Sequence, residues 1–131
     1  MNRAPDWLLQ AEKDLSMARI ALEAGRHEWA CFAAHQSAEK ALKALHLFLG
    51  QEVWGHLVAR LLRELPFSAP TELVDMARAL DALYIPTRYP DAFPAGAPAE
   101  HYGLKQSQEA LNHAQAILEF VRAQMAQSDR G

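Results

Sequence analysis

The chain is poor in the features that announce chemistry. It has a single cysteine, Cys31, which excludes an internal disulfide, and neither a Cys pair nor a Cys-His cluster has the spacing of a structural zinc site. A reducing cytoplasm is the setting this favours. No stretch approaches about 18 uncharged apolar residues, and the opening MNRAPDWLLQAEKD has no unbroken apolar segment, so neither a membrane span nor an export signal is expected. The six glycines form no phosphate-cradling loop and no dinucleotide fingerprint, and no nucleophilic triad can be assembled. No cofactor is implied. A formal charge of −3 argues against a surface built broadly for nucleic acid, although Lys40, Lys43, Arg60, Arg63, Arg88 and Lys105 leave room for a local basic patch. Alternating strand patterns, internal repeats and low-complexity tracts are absent too, apart from one Pro/Ala-rich loop.

What remains is helical periodicity in abundance. At 131 residues, half of them apolar, the chain can build one core, and a single domain over residues 1–127 with a disordered tail at 128–131 is expected. The first segment starts at Pro5 and Asp6, carries Trp7, Leu8, Ala11, Leu15, Ala18 and Leu22 at three- and four-residue steps, and stops at Gly25. After a short corner the second helix runs from about Glu28 to Leu49 and must pack antiparallel to the first. A piece of two to three turns follows over His56–Leu65, ended by Pro66. A fourth segment begins at Ala69-Pro70-Thr71-Glu72 and continues through Tyr84 until Pro86. The stretch YIPTRYPDAFPAGAPAEHYG, with Pro86, Pro90, Pro94 and Pro98, is read as a long irregular loop rich in aromatics. The last helix occupies roughly Gly103 to Ala126. The expected architecture is all-α: an antiparallel up-and-down four-helix bundle with a short extra helix.

The second helix, WACFAAHQSAEKALKALHLFLG from Trp29 to Gly50, is two-sided. Ala30, Cys31, Ala34, Ala38, Ala41, Leu42, Leu45, Phe48 and Leu49 share one face at 100° per residue, which predicts a core stripe with Cys31 as a small buried hydrophobe. The other side mixes Trp29, Phe32 and Leu47 with Gln36, Glu39, Lys40 and Lys43. A solvated face laced by the Glu39–Lys43 i,i+4 pair is the plain reading, worth roughly 0.3–0.5 kcal/mol. The aromatics on the same side favour a surface that meets a partner or ligand. In the loop, Arg88 stands among Tyr84, Tyr89 and Asp91, where a guanidinium could hold a phosphate while a base stacks nearby; pairing of Arg88 with Asp91 or a helix carbonyl is the structural alternative. Six histidines invite a metal, but no Glu-x-x-His tetrapeptide exists and none is expected.

Three passages together, AAHQSAEKALKALHLFLG, YIPTRYPDAF and ALNHAQAILEFV, make nearly the whole chain resemble the HEPN family of small helical domains from prokaryotes and higher eukaryotes. The most specific elements are Gln36-x-x-Glu39-Lys40-x-x-Lys43-Ala44 and Tyr84-x-Pro86-Thr87-Arg88-Tyr89-Pro90-Asp91. The resemblance implies a helical bundle that forms a homodimer and stands beside a minimal nucleotidyltransferase in a two-gene, toxin-antitoxin-like module, with a nucleotide or RNA as possible ligand. Many family members are ribonucleases carrying an Arg, four to six residues, then a His. No arginine here has a histidine at that spacing, so the non-catalytic partner role is expected. The alternatives are a ribonuclease with a non-standard site from Arg88, Tyr89, Asp91 and His101, and a purely structural oligomer.

Overall fold

In the computed structural model, residues 1–130 are described, the side chains of 128–130 excepted; of the tail expected at 128–131, the backbone to Arg130 belongs to the last helix and Gly131 lies outside the described residues. The architecture is all-α, with six α-helices and no strand among the described residues: α1 (Ala4–Glu23), α2 (His27–Phe48), α3 (Val58–Arg63), α4 (Thr71–Asp81), α5 (Pro98–His101) and α6 (Leu104–Arg130). No helix of the described residues is long and apolar enough to cross a membrane.

α2 is the central element and packs against every other α-helix. Its predicted stripe is fully buried from Ala30, Cys31 and Ala34 through Ala38, Ala41, Leu42 and Leu45, whereas Phe48 and Leu49, predicted on the same face, are only partly covered at the helix end. Small side chains let α1 approach closely, and Ser37 Oγ–H donates to the Ala11 carbonyl at 2.7 Å across the contact. Leu61 and Leu62 of α3, Leu80 of α4, and Ile117, Leu118 and Val121 of α6 close the core on the other sides. Burial of a leucine of this kind contributes about 1.5–3 kcal/mol.

The ends of α1 and α2 are set by glycine. Gly25 (φ 77°) and Gly50 (φ 78°) each occupy the left-handed position after the helix. At each, the following N–H reaches back to close the turn, from Arg26 to the Ala21 carbonyl at 2.8 Å and from Gln51 to the His46 carbonyl at 2.8 Å. A Cβ would strain this conformation.

Three segments depart from the periodicity reading. α3 is shorter than the predicted His56–Leu65, because Asp81 of α4 accepts from the Val58 and Ala59 N–H groups at 2.6 and 3.0 Å and fixes the start at Val58. α4 ends at Asp81, and the chain to Arg88 continues in turns. The proline-rich stretch is not wholly irregular: it holds a 3-10 turn at Pro90–Ala92 and the four-residue α5. Pro98 lies in the first turn of α5, where a missing N–H costs nothing, and Glu100 Oε1 accepts from the Ala97 N–H at 3.0 Å.

Candidate ligand and partner site

The aromatic loop folds back on the first half of α2 and presents Arg88 to it. The guanidinium carbon lies 4.5 Å from the ring centre of Phe32, 4.6 Å from that of Tyr84 and 5.1 Å from that of Tyr89. Its Nε–H donates to the Tyr84 carbonyl at 2.9 Å. Stacking on several rings fixes a guanidinium as a plane while leaving its outer N–H groups as donors. Asp91 is exposed, and among the described residues no carboxylate forms an ion pair with Arg88. Beside it opens a groove of about 330 Å³ lined by Arg26, Trp29, Thr87 and Arg88 with residues 97–99 and Glu28.

The polar side of α2 is divided in two by tertiary packing. Lys40 Nζ turns toward α1 and pairs with Asp14 at 2.6 Å, and with Gln36 it lines a groove of about 370 Å³ between the two helices. Glu39 turns the other way and is buried, receiving Lys43 Nζ at 3.1 Å and the His56 Nδ1–H at 3.1 Å. Lys43 also lies 5.6 Å from the ring centre of Trp7. Each cation of the motif therefore has an internal partner. Arg88 does not, and it is the candidate binding group among the residues named from sequence.

Tyr84 joins these halves. Its ring stacks on His56 with centres 5.2 Å apart, meets His35 at 4.8 Å and carries Arg88 on its face. His35 and His56 are members of the site that sequence reasoning did not assign. His35 is completely buried, its Nε2 3.3 Å from Asp81 Oδ1 and without a hydrogen-bond partner. The i,i+4 spacing of His35 and Glu39 was the available signal for the first; nothing local marks the second, which arrives from 17 residues away. His101 is engaged elsewhere in the loop, stacked on Phe93 at 3.9 Å with Nε2 donating to the Ala95 carbonyl at 2.7 Å.

Nucleophilic chemistry has no foothold in the thiol. Burial, with the nearby Glu28 carboxylate, pushes Cys31 up to about 12, and burial also raises Tyr102. No group of three or more metal-ligating side chains converges among the described residues.

Residues 4–124 match the HEPN domain profile. The chain belongs to the HEPN domain family. Solved structures agree over almost the entire length. TT1696 from Thermus thermophilus is 54% identical, with a TM-score of 0.92 over 94% of this chain and 98% of that one. ST0689, an archaeal HEPN homologue, is 42% identical with a TM-score of 0.83, covering 95% and 99%. An HEPN domain protein from Thermotoga maritima is 35% identical with a TM-score of 0.76, covering 92% and 98%. A more distant relative is MJ1304 of Methanocaldococcus jannaschii, provisionally named a toxin, 24% identical over 127 residues that span 88% of this chain and 84% of that protein. The HEPN fold thus brings the quoted α2 passage and the quoted loop into contact at His35 and Tyr84, with Phe32, just before that passage, against Tyr84 and Arg88.

Proposed function

We propose that this HEPN protein is a non-catalytic binding module: a homodimer that partners a minimal nucleotidyltransferase in a two-gene, toxin-antitoxin-like unit and holds the phosphate of a nucleotide or RNA at Arg88. The observation that carries this reading is the caged guanidinium, oriented by three rings and free of any carboxylate partner among the described residues. A partly exposed, preoriented arginine with aromatics at its side suits a phosphate next to a stacking base. Trp29, half exposed on the wall of the adjoining groove, is available for that stacking. The toxin name of the Methanocaldococcus jannaschii relative supports the module, and the single buried cysteine supports a reducing, cytoplasmic setting. Titration of the full chain with ATP and with a short single-stranded RNA, followed by tryptophan fluorescence or calorimetry, tests the site. Saturable binding that Arg88→Ala weakens by about tenfold or more supports it. Absence of binding, together with failure to capture a co-expressed minimal nucleotidyltransferase, removes it.

One observation favours a second reading, RNA cleavage at a non-standard site. Glu39 accepts from His56 Nδ1–H, the contact that places the lone pair of a neutral imidazole on Nε2 as a base, and Tyr84 carries both His56 and Arg88 on its ring. Here His56 takes the part that sequence reasoning gave to His101. RNA that stays intact with wild type, His56→Ala and Arg88→Ala alike would discard this alternative.

A further inference from the structure

α1 buries Ala11, Leu15 and Ala18 inside the bundle, yet its outward side is not wholly polar. Leu9, Met17 and Ile20 remain 54%, 54% and 55% exposed. Met17 stands across the α1–α2 groove from Trp29, itself 53% exposed, and the floor between them is made of Ala21 and Ala33. Apolar side chains of this size, grouped along one helix, mark a covered surface rather than a solvated one. Methionine and tryptophan are also types enriched at interface centres. Lys13 shares the outward stripe, and Glu23 lies at its edge near the C-terminal end. Both are exposed, and neither forms an ion pair among the described residues.

We infer that this face is the dimer contact, with the α1 helices of two copies packed antiparallel about a two-fold axis at the level of Ala18. The order of charge identifies the occupant as a second copy. Lys13 and Glu23 are ten residues apart (23 − 13), about 15 Å along the helix. Asp6, further along the same side, is paired with Arg3 at 3.0 Å, so the unpaired charges run from positive at Lys13 to negative at Glu23, an order complementary to its own reverse. In this register Lys13 of each copy meets Glu23 of the partner subunit, twice by symmetry, as an isologous contact requires. Met17 and Ile20 from both copies meet in the middle, and the groove beside Trp29 receives an apolar side chain from across the axis. A nucleic acid would need one sign of charge along the stripe and has nothing to pair with at Glu23.

The inference rests on the homodimer proposed above, and its test separates the two. The full chain is sized by light scattering or sedimentation as wild type, as Met17→Glu/Ile20→Glu, as Lys13→Glu, as Glu23→Lys, and as the double reversal Lys13→Glu/Glu23→Lys, with circular dichroism checking the fold. The expected result is a wild-type dimer, a folded monomer for Met17→Glu/Ile20→Glu, a dissociation constant raised about tenfold by each single reversal, and recovery in the double reversal. That recovery cannot come from misfolding. A wild-type dimer untouched by all variants overturns this face and leaves the homodimer standing. A wild-type monomer overturns both. Loss of nucleotidyltransferase capture with an unchanged dimer gives the face to that partner and equally overturns the inference.

Discussion

Arg88 and Tyr84 hold each other twice: Nε–H of the arginine donates to the tyrosine carbonyl at 2.9 Å, and the same guanidinium lies 4.6 Å from the centre of the tyrosine ring. One contact sets the direction of the arginine and the other its tilt, so the positive charge is fixed before any ligand arrives. Preorganisation of this kind lowers the ordering cost of binding.

Replacing Arg88 by lysine keeps the charge and removes both contacts, since an ammonium lacks the planar fork and the Nε donor. Arg88→Lys is expected to cost about 1–2 kcal/mol in denaturant unfolding, through the lost stacking and the freed Tyr84 carbonyl. It should bind nucleotide nearly as poorly as Arg88→Ala. A lysine variant with wild-type affinity would show that charge alone is being read.

Asp81 reaches 23 positions back along the chain to receive the Val58 and Ala59 N–H groups at the start of α3. No local residue performs this cap, as Leu57 has no side-chain acceptor. Asp81→Ala leaves two helix-terminal donors without their acceptor and should destabilise the fold by about 2 kcal/mol. Hydrogen exchange of the Val58 and Ala59 amides should quicken while those of α1 are preserved. Asn at the same position retains one oxygen acceptor and should recover part of the loss.

Cys31 is fully buried on the core face of α2 and is raised from 9.0 to about 12. The unfolded chain releases this proton first, so rising pH favours the unfolded state. Stability from this group is complete below pH 9 and is lost progressively toward pH 12, with a slope of up to about 1.4 kcal/mol per pH unit. Tyr102, raised by burial, adds in the same direction. Denaturant melts at pH 8, 9.5 and 10.5 should show the decline, and Cys31→Ala should flatten it. In the native protein at pH 8 a thiol reagent should leave Cys31 unmodified, and in denaturant it should titrate one thiol.

The helices were legible because each needs an apolar stripe, and period and punctuation sit in adjacent residues: Ala30 to Leu45 define the core side of α2, Gly25 and Gly50 its neighbouring ends. Two things escaped. The four prolines disguised α5, since the residue that breaks a helix in its interior begins one at Pro98. The polar side of α2 read as one surface, whereas Lys40 serves α1 and Glu39 serves the segment around His56.

By itself the sequence determined the all-helical class, the buried face of α2 and the two passages that carry the family resemblance, because these depend on spacing along one segment. Only the tertiary structure decided which charges are spent on internal partners and which stay available. That outcome depends on who lies opposite whom across the bundle: Asp14 neutralises Lys40, Glu39 neutralises Lys43 and engages His56, and Arg88 meets rings instead of a carboxylate. Distances between groups remote in the chain exist only after packing, and with them the chemistry of the site.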